Sequence, residues 1–228
     1  MRKFAEMANP ALTGRLRAVL FDFDGTLADT YPGIAASVNF VRAGYGLPPI
    51  SIDEVRRNVG RGPAYLMEQT VPAGDVNGNV ERYKAHQPSV MLSGTHLFPG
   101  VAEALAALTA LSLKLGICSN KPRALTVELL AYFRLAKLID VVLGPEDVLR
   151  PKPDPQILKM ALERLTISPA EALYVGDMVV DIETARGAGV QVWVVATGSN
   201  DRGTLEAGRP DRLLGGLREL PTLLDGRG

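Results

Sequence analysis

The sequence predicts an α/β fold: a doubly wound parallel sheet with one inserted α-helical cap domain. Three observations predict it. Ala18-Val19-Leu20-Phe21 is a run of β-branched or large apolar residues, too short for a helix, and reads as a buried strand. From residue 101 onwards, helix-period segments alternate with short apolar runs, the pattern of a parallel sheet covered on both faces. Between these parts, residues 32–96 carry helical spacing and no convincing strand. A Rossmann-like core is therefore expected at 17–31 and 97–228, a helical cap at 32–96 and a loosely held tail at 1–16.

Each element has a local cause. The first strand runs into Asp22-Phe23-Asp24-Gly25-Thr26, two carboxylates and a Gly-Thr turn. Pro32 suits the first turn of a helix, and Ile34, Val38 and Val41 recur at helical spacing up to Gly44 and Gly46. Ser51 with Glu54 matches a capping box and opens a helix as far as Val59. Gly60-Arg61-Gly62-Pro63 interrupts; 64–69 is helical again, 71–78 is turn-rich and 80–91 is a partly polar helix. Phe98-Pro99-Gly100 punctuates the chain before an Ala/Leu-rich helix at 101–111. A strand at 113–119, a helix at 123–133 and a strand at 141–144 follow. Asp154 as cap and Pro155 as first residue open a helix to 165. A strand at 172–175, a helix at 181–188 closed by Gly187 and Gly189, and a strand at 190–196 come next. An edge strand at 211–214 and a helix at 217–224 end the pattern.

Composition narrows the function. Among 228 residues, 25 basic and 25 acidic side chains cancel, which leaves no footprint for nucleic acid and no charged tail. The 46% hydrophobic share is that of an ordinary soluble globule, and the apolar runs fall far short of a membrane span. Residues 1–16 have scattered charges and no apolar stretch of a secretory signal. The one cysteine, Cys118, excludes an internal disulfide. A cytoplasmic monomer or homodimer is expected, with neither nucleic acid nor membrane as partner.

Side chains alternate along a strand, so Asp22 and Asp24 start on the same side. Two carboxylates that close repel unless something holds them, and a divalent cation is the usual remedy. Later strands also end in polar groups: Ser119-Asn120-Lys121 after one, Gly176-Asp177 after another, with Asp181 four residues on. Lys152 stands in Arg150-Pro151-Lys152-Pro153 ahead of a helix. Parallel strands point their C-terminal ends one way, so Asp22, Asp24, Ser119, Lys152, Asp177 and Asp181 are expected to converge on one crevice. Carboxylates offer hard oxygen ligands to Mg²⁺, while a lysine, a hydroxyl and backbone N–H groups suit a phosphoryl group. Taken singly, each has a plainer reading: solvated aspartates closing a strand, a strand-end hydroxyl, a solvated loop lysine, acids capping a helix. All of these would have to hold independently for the crevice to mean nothing.

In this order the residues resemble the haloacid dehalogenase-like hydrolase superfamily over 17–224. Asp22-Phe23-Asp24-Gly25-Thr26 is similar to its first motif and Ser119-Asn120 to its second. Lys152 in Lys-Pro-Asp-Pro is similar to the third, and Gly176-Asp177 with Asp181 to the fourth. The helical insertion resembles the family's small cap. Asn120-Lys121-Pro122, Val59-Gly60-Arg61-Gly62 and Leu66-Met67-Glu68 resemble its phosphoglycolate phosphatases. The resemblance implies a Mg²⁺-dependent phosphatase acting on a small phosphorylated metabolite through an aspartyl-phosphate. It implies Asp22 as nucleophile and Asp24 as general acid and base. It implies Mg²⁺ held by Asp22, the Asp24 main-chain carbonyl and Asp177, with Asp181 behind them. Ser119 and Lys152 would hold the phosphoryl group, with Gly25, Thr26 and Asn120 around it. From the cap, Arg61 is expected to meet the leaving group, where a guanidinium favours a carboxylate. Three departures bear on the substrate rather than the chemistry. Met178 stands where serine is common, Thr197-Gly198-Ser199-Asn200 lacks an aromatic residue, and Arg61 replaces a frequent asparagine.

Two other readings compete. A sugar-phosphate mutase uses the same scaffold, but related mutases commonly carry valine where Thr26 stands. A non-enzymatic phospho-acceptor domain also uses aspartates, a lysine and Mg²⁺, but it needs neither a cap nor Asp24. Gly60-Arg61-Gly62 lacks the third glycine of a dinucleotide fingerprint. His86 and His96 have no metal spacing and read as structural or solvated, Cys118 as a buried thiol and Trp193 as core.

Overall fold

A computed structural model of the chain describes residues 16–225. The expected tail lies outside them, apart from Leu16. Strand β1 (Ala18–Phe21) leads into β2 (Ala28–Asp29), which forms an antiparallel ribbon with β3 (His96–Leu97). Between the two ribbon strands the chain makes α1 (Tyr31–Ala43), α2 (Ile52–Arg56), α3 (Pro63–Thr70) and α4 (Val76–Val90). After it come α5 (Val101–Ala110), β4 (Lys114–Cys118), α6 (Arg123–Tyr132), β5 (Val141–Leu143) and α7 (Gln156–Leu165). Then follow β6 (Ala172–Gly176), α8 (Val179–Ala188), β7 (Gln191–Val195), α9 (Arg202–Ala207), β8 (Arg212–Leu214) and α10 (Leu220–Asp225). The main sheet is parallel in the order β5-β4-β1-β6-β7-β8, so β1 is central.

Alternation along β1 divides the core into two layers. Val19 and Phe21 pack with Leu105, Ile117 and Trp193; Ala18 and Leu20 pack with Leu158, Tyr174 and Val192 on the other face. Phe21 and Leu20 are fully buried, each worth about 1.5–3 kcal/mol of transfer free energy. Cys118 is buried in the second layer. The inserted helices bury a third cluster of their own, Ile34, Val38, Val55, Leu66, Met67 and Tyr83 among it. No helix of the described residues is long and apolar enough to cross a membrane.

Where the structure differs from the sequence expectations, a local group explains it. The ribbon places His96 in a strand, because a two-residue pair has no period to read. Helix α4 starts at Val76, inside the expected turn-rich stretch, because Asp75 Oδ1 accepts from Gly78 N at 2.8 Å. Ser51 does cap α2, accepting from Glu54 N at 3.2 Å, but the helix ends at Arg56. Helix α7 starts one residue later than expected, with Asp154 Oδ1 accepting from Gln156 N at 3.0 Å. Helix α8 starts at Val179, and Asp181 lies inside its first turn. Helix α9 was not expected; Asp201 Oδ1 caps it by accepting from Thr204 N at 2.8 Å. The last expected helix divides into a 3₁₀ turn, Leu217–Glu219, and α10.

Candidate active site

Phe21 pairs with Ile117 on one side and Val175 on the other, so β1, β4 and β6 end at one level. Asp22, Ser119 and Asp177 are each the first residue past their strand. Asp22 N donates to Val175 O at 2.9 Å, and its Oδ1 accepts from Phe23 N at 2.8 Å. Its Oδ2 lies 2.9 Å from Lys152 Nζ. That ammonium also stands 2.7 Å from Asp181 Oδ1 and donates to the Tyr174 hydroxyl at 3.0 Å. The Tyr174 hydroxyl in turn lies 2.8 Å from the Cys118 carbonyl oxygen. Burial alone would push the Lys152 pKa down, but the Asp181 and Asp22 carboxylates outweigh it and hold the pKa above its usual value.

Asp177 faces the same point from β6. Its Oδ1 accepts from Thr26 Oγ1 at 2.9 Å and its Oδ2 from Ser199 N at 2.8 Å. Burial, then the Asp181 and Asp22 charges, push the Asp177 carboxyl well above the carboxylate range. Asp181 Oδ2 accepts from Asp177 N at 3.1 Å and Met178 N at 3.0 Å, and its Oδ1 takes Lys152. One oxygen from each of Asp22, Asp177 and Asp181 lies within 4.8 Å of the others. Three buried carboxylates share one lysine, and the donors on Asp177 are neutral. Such a set of hard oxygens, with an excess of negative charge and no histidine or cysteine, fits a divalent cation of the Mg²⁺ type. Two glycines leave room for the Asp177 carboxylate itself: a Cβ on Gly25, which has φ +80°, would lie 2.6 Å from Asp177 Oδ2, and one on Gly198 would lie 1.8 Å from it.

Asp24 points elsewhere. Its carboxylate lies 3.1 Å from Lys121 Nζ, a nearly buried pair. Any hold that Asp24 has on a metal in the acid cluster is thereby left to its main-chain carbonyl. Ser119 Oγ accepts from Lys121 N at 3.2 Å, which leaves its own O–H free to donate. The Asn120 side chain is engaged as a tie rather than turned to a ligand. It donates to Gly60 O of the inserted helices at 2.9 Å and to Lys152 O at 3.1 Å, and it accepts from Lys152 N at 2.9 Å. Thr26 is buried against Asp177, so its side chain too serves the cluster.

A cavity of about 290 Å³ opens over Asp22 and Asp24, walled by Ser119, Asn120 and Lys121 below and by the inserted helices above. Arg61 is not part of its wall. It is exposed, its guanidinium 5.3 Å from the Tyr65 ring centroid, in a separate groove with Met178 and Asn200. Gly60 and Gly62, at φ +112° and +89°, flank it and set that direction. The structure therefore does not bring Arg61 to the other residues expected at the site. The sequence shows Lys121 as part of a strand-end motif and Ser199 as part of a departure from the family pattern, but it assigns neither of them, nor Tyr174, a place in the site. A tyrosine inside an otherwise apolar buried strand was a signal for Tyr174, since a buried hydroxyl needs a partner. Nothing in the spacing pointed to the other two.

A model of the haloacid dehalogenase-like hydrolases matches residues 19–195. The chain is similar to the plasmid phosphoglycolate phosphatase of Cupriavidus necator, 35% identical over 213 residues, covering 91% of this chain and 92% of that one. It is similar to the phosphoglycolate phosphatase of Escherichia coli, 32% identical over 229 residues, covering 90% and 91%. A solved structure from Bacteroides fragilis, described as haloacid dehalogenase-like, resembles it at a TM-score of 0.85 and 31% identity, over 90% of this chain and 100% of that one. The match takes in the inserted helices as well as the central strands, and the chain belongs to the haloacid dehalogenase-like hydrolases.

Proposed function

We propose that this chain, a phosphatase of small phosphomonoesters, acts on 2-phosphoglycolate or a close chemical relative, with Mg²⁺ as its metal. The observation that carries the reading is Asp22: a buried carboxylate at the tip of the central strand, 2.9 Å from Lys152 Nζ, opening into a cavity that it shares with Asp24. Asp22 attacks phosphorus, and the bond to the leaving oxygen breaks as Asp24 delivers a proton to it. Asp24 then takes a proton from water, which attacks phosphorus in the aspartyl-phosphate and releases phosphate and the Asp22 carboxylate. Lys152 and the free Ser119 hydroxyl hold the phosphoryl group, with backbone N–H groups near Gly25 and Asn120. Asp22, Asp177 and the Asp24 carbonyl would hold Mg²⁺, whose charge, when bound, offsets that of the phosphoryl oxygens. Thr26 and Asp181 set these carboxylates in place.

On this reading residues 17–31 and 97–228 are the hydrolase core and 32–96 the cap, whose closure keeps water from the leaving group until it has gone. The setting is the cytoplasm, and the working form a monomer or homodimer with no nucleic-acid or membrane partner. The test is phosphate release from a panel of phosphorylated metabolites, with Mg²⁺ and after exhaustive chelation. Sustained release that vanishes with chelator and returns with Mg²⁺ is expected. Full activity after chelation rejects the metal site, and an isomerised product without net phosphate loss replaces the reading with a mutase.

A further inference from the structure

The cavity over Asp22 has a wall that the phosphoryl chemistry does not use. On the cap side, α4 contributes Tyr83, Lys84 and Gln87. Tyr83 and Gln87 are buried, and Gln87 Nε2 donates to the Tyr83 hydroxyl at 2.9 Å. The hydroxyl thus keeps its own proton to donate. Burial and the nearby Asp24 carboxylate push the Tyr83 pKa up, so it stays protonated. Lys84 is different in kind. Its side chain is 50% exposed, and its ion pair is with Glu81 one turn back, at 3.4 Å, an acid itself 75% exposed. A pair of that sort holds a lysine weakly, so the ammonium is free to swing to a better partner. On the core side Lys121 lines the same cavity. Both Asp24 oxygens lie on its ammonium, at 3.1 and 3.4 Å, and an ammonium has three N–H donors.

We infer that Lys84 of the cap and Lys121 of the core form an anion subsite for the leaving group, so that the preferred substrates are phosphomonoesters whose leaving group ends in a carboxylate or a second phosphate. The inference rests on the phosphatase reading and deepens it. The phosphoryl group occupies Asp22, Lys152 and Ser119 at the floor, and the leaving oxygen faces Asp24. Whatever is attached to that oxygen extends towards α4. An anion there meets Lys84, the cation on that wall whose charge no core carboxylate takes, together with the Tyr83 hydroxyl and the remaining donor of Lys121. The residue expected to fill this place, Arg61, lies in the outer groove. Neutral leaving groups gain nothing from Lys84.

The experiment compares kcat/KM of the full chain with Mg²⁺ on three esters: 2-phosphoglycolate, 1,3-propanediol bisphosphate and n-propyl phosphate. It does so for the natural sequence, for Lys84→Met, which keeps the apolar stem, and for Lys84→Arg, which keeps the charge. One charge-assisted contact predicts that Lys84→Met lowers the ratio of anionic to propyl ester by about 10- to 100-fold. Lys84→Arg is expected to restore most of it. Whichever anionic ester shows the larger ratio in the natural sequence identifies the anion, carboxylate or phosphate. If the natural sequence hydrolyses the esters and Lys84→Met leaves both ratios unmoved, the subsite is overturned and the phosphatase reading stands. If the natural sequence hydrolyses none of the three, both fall.

Discussion

Lys152→Met tests the electrostatic centre of the site. The lysine side chain is 1% exposed and reaches Asp181 Oδ1 at 2.7 Å, Asp22 Oδ2 at 2.9 Å and the Tyr174 hydroxyl at 3.0 Å. Methionine preserves most of the stem volume, so the change is chiefly the loss of one buried charge. It leaves Asp22, Asp177 and Asp181, with oxygens within 4.8 Å of one another, without a cation. Removing one partner of a buried ion pair costs about 3–5 kcal/mol. For a chain of this size each kcal/mol lowers Tm by about 2–4 °C, so calorimetry in chelator should show a fall of about 6–20 °C. Saturating Mg²⁺ should recover part of it, since a ligand at a hundred times its Kd stabilises by about 2.7 kcal/mol. Phosphatase kcat should fall by about 10²–10³-fold, the usual cost of one group aimed at transition-state charge. A Tm within about 2 °C of the natural protein in chelator, together with kcat within tenfold, would refute the claim that Lys152 binds these carboxylates into one unit.

Other predictions follow from the same geometry. Asp24→Asn should lower kcat by about 10²–10⁴-fold by removing the proton relay, measured as phosphate release after contaminating phosphatases are excluded; unchanged kcat rejects that role. The pH dependence has a definite sign. The Asp177 carboxyl is raised above its ordinary 3.8, so its contribution to stability is present in full below 3.8 and is lost as pH rises through the folded value. In chelator, the protein should therefore gain stability from this group on acidification from neutrality, and Mg²⁺, which keeps the carboxylate ionised, should flatten that dependence. Tm against pH with and without Mg²⁺ checks this, and parallel curves contradict it. Lys152, also raised, contributes throughout neutral pH and loses its contribution only as pH rises through its folded value at the alkaline end.

The convergence of Asp22, Ser119 and Asp177 was legible because a parallel sheet sends every strand end one way, and each residue directly follows an apolar run. Lys152 was legible only in company: its loop position says nothing, but three buried acids need a cation. Lys121 was not legible as part of the site. Its direction depends on the turn after β4, where the Ser119 hydroxyl accepts from its backbone N–H and swings the side chain to Asp24. The direction of Arg61 is hidden for a similar reason: sequence shows two flanking glycines but not that the turn they permit points its side chain to the groove of Met178 and Asn200. Asn120 reads as a polar strand-end residue, yet its amide fastens the Lys152 loop to the cap at Gly60, a contact across 60 residues of sequence that no local pattern records. The ribbon of β2 and β3 and the six-residue α9 fell below the length at which a period exists.

The measurement that tests the central claim most directly is turnover of 2-phosphoglycolate by Asp22→Asn, set beside the natural sequence under saturating Mg²⁺. The carboxamide keeps the size of the side chain but cannot form the acyl-phosphate. The natural sequence is expected to release phosphate over many turnovers and the variant none, with its fold intact by calorimetry. Turnover by Asp22→Asn at the natural rate would contradict the account, because no other carboxylate of the described residues combines the Lys152 contact with a place on the cavity floor.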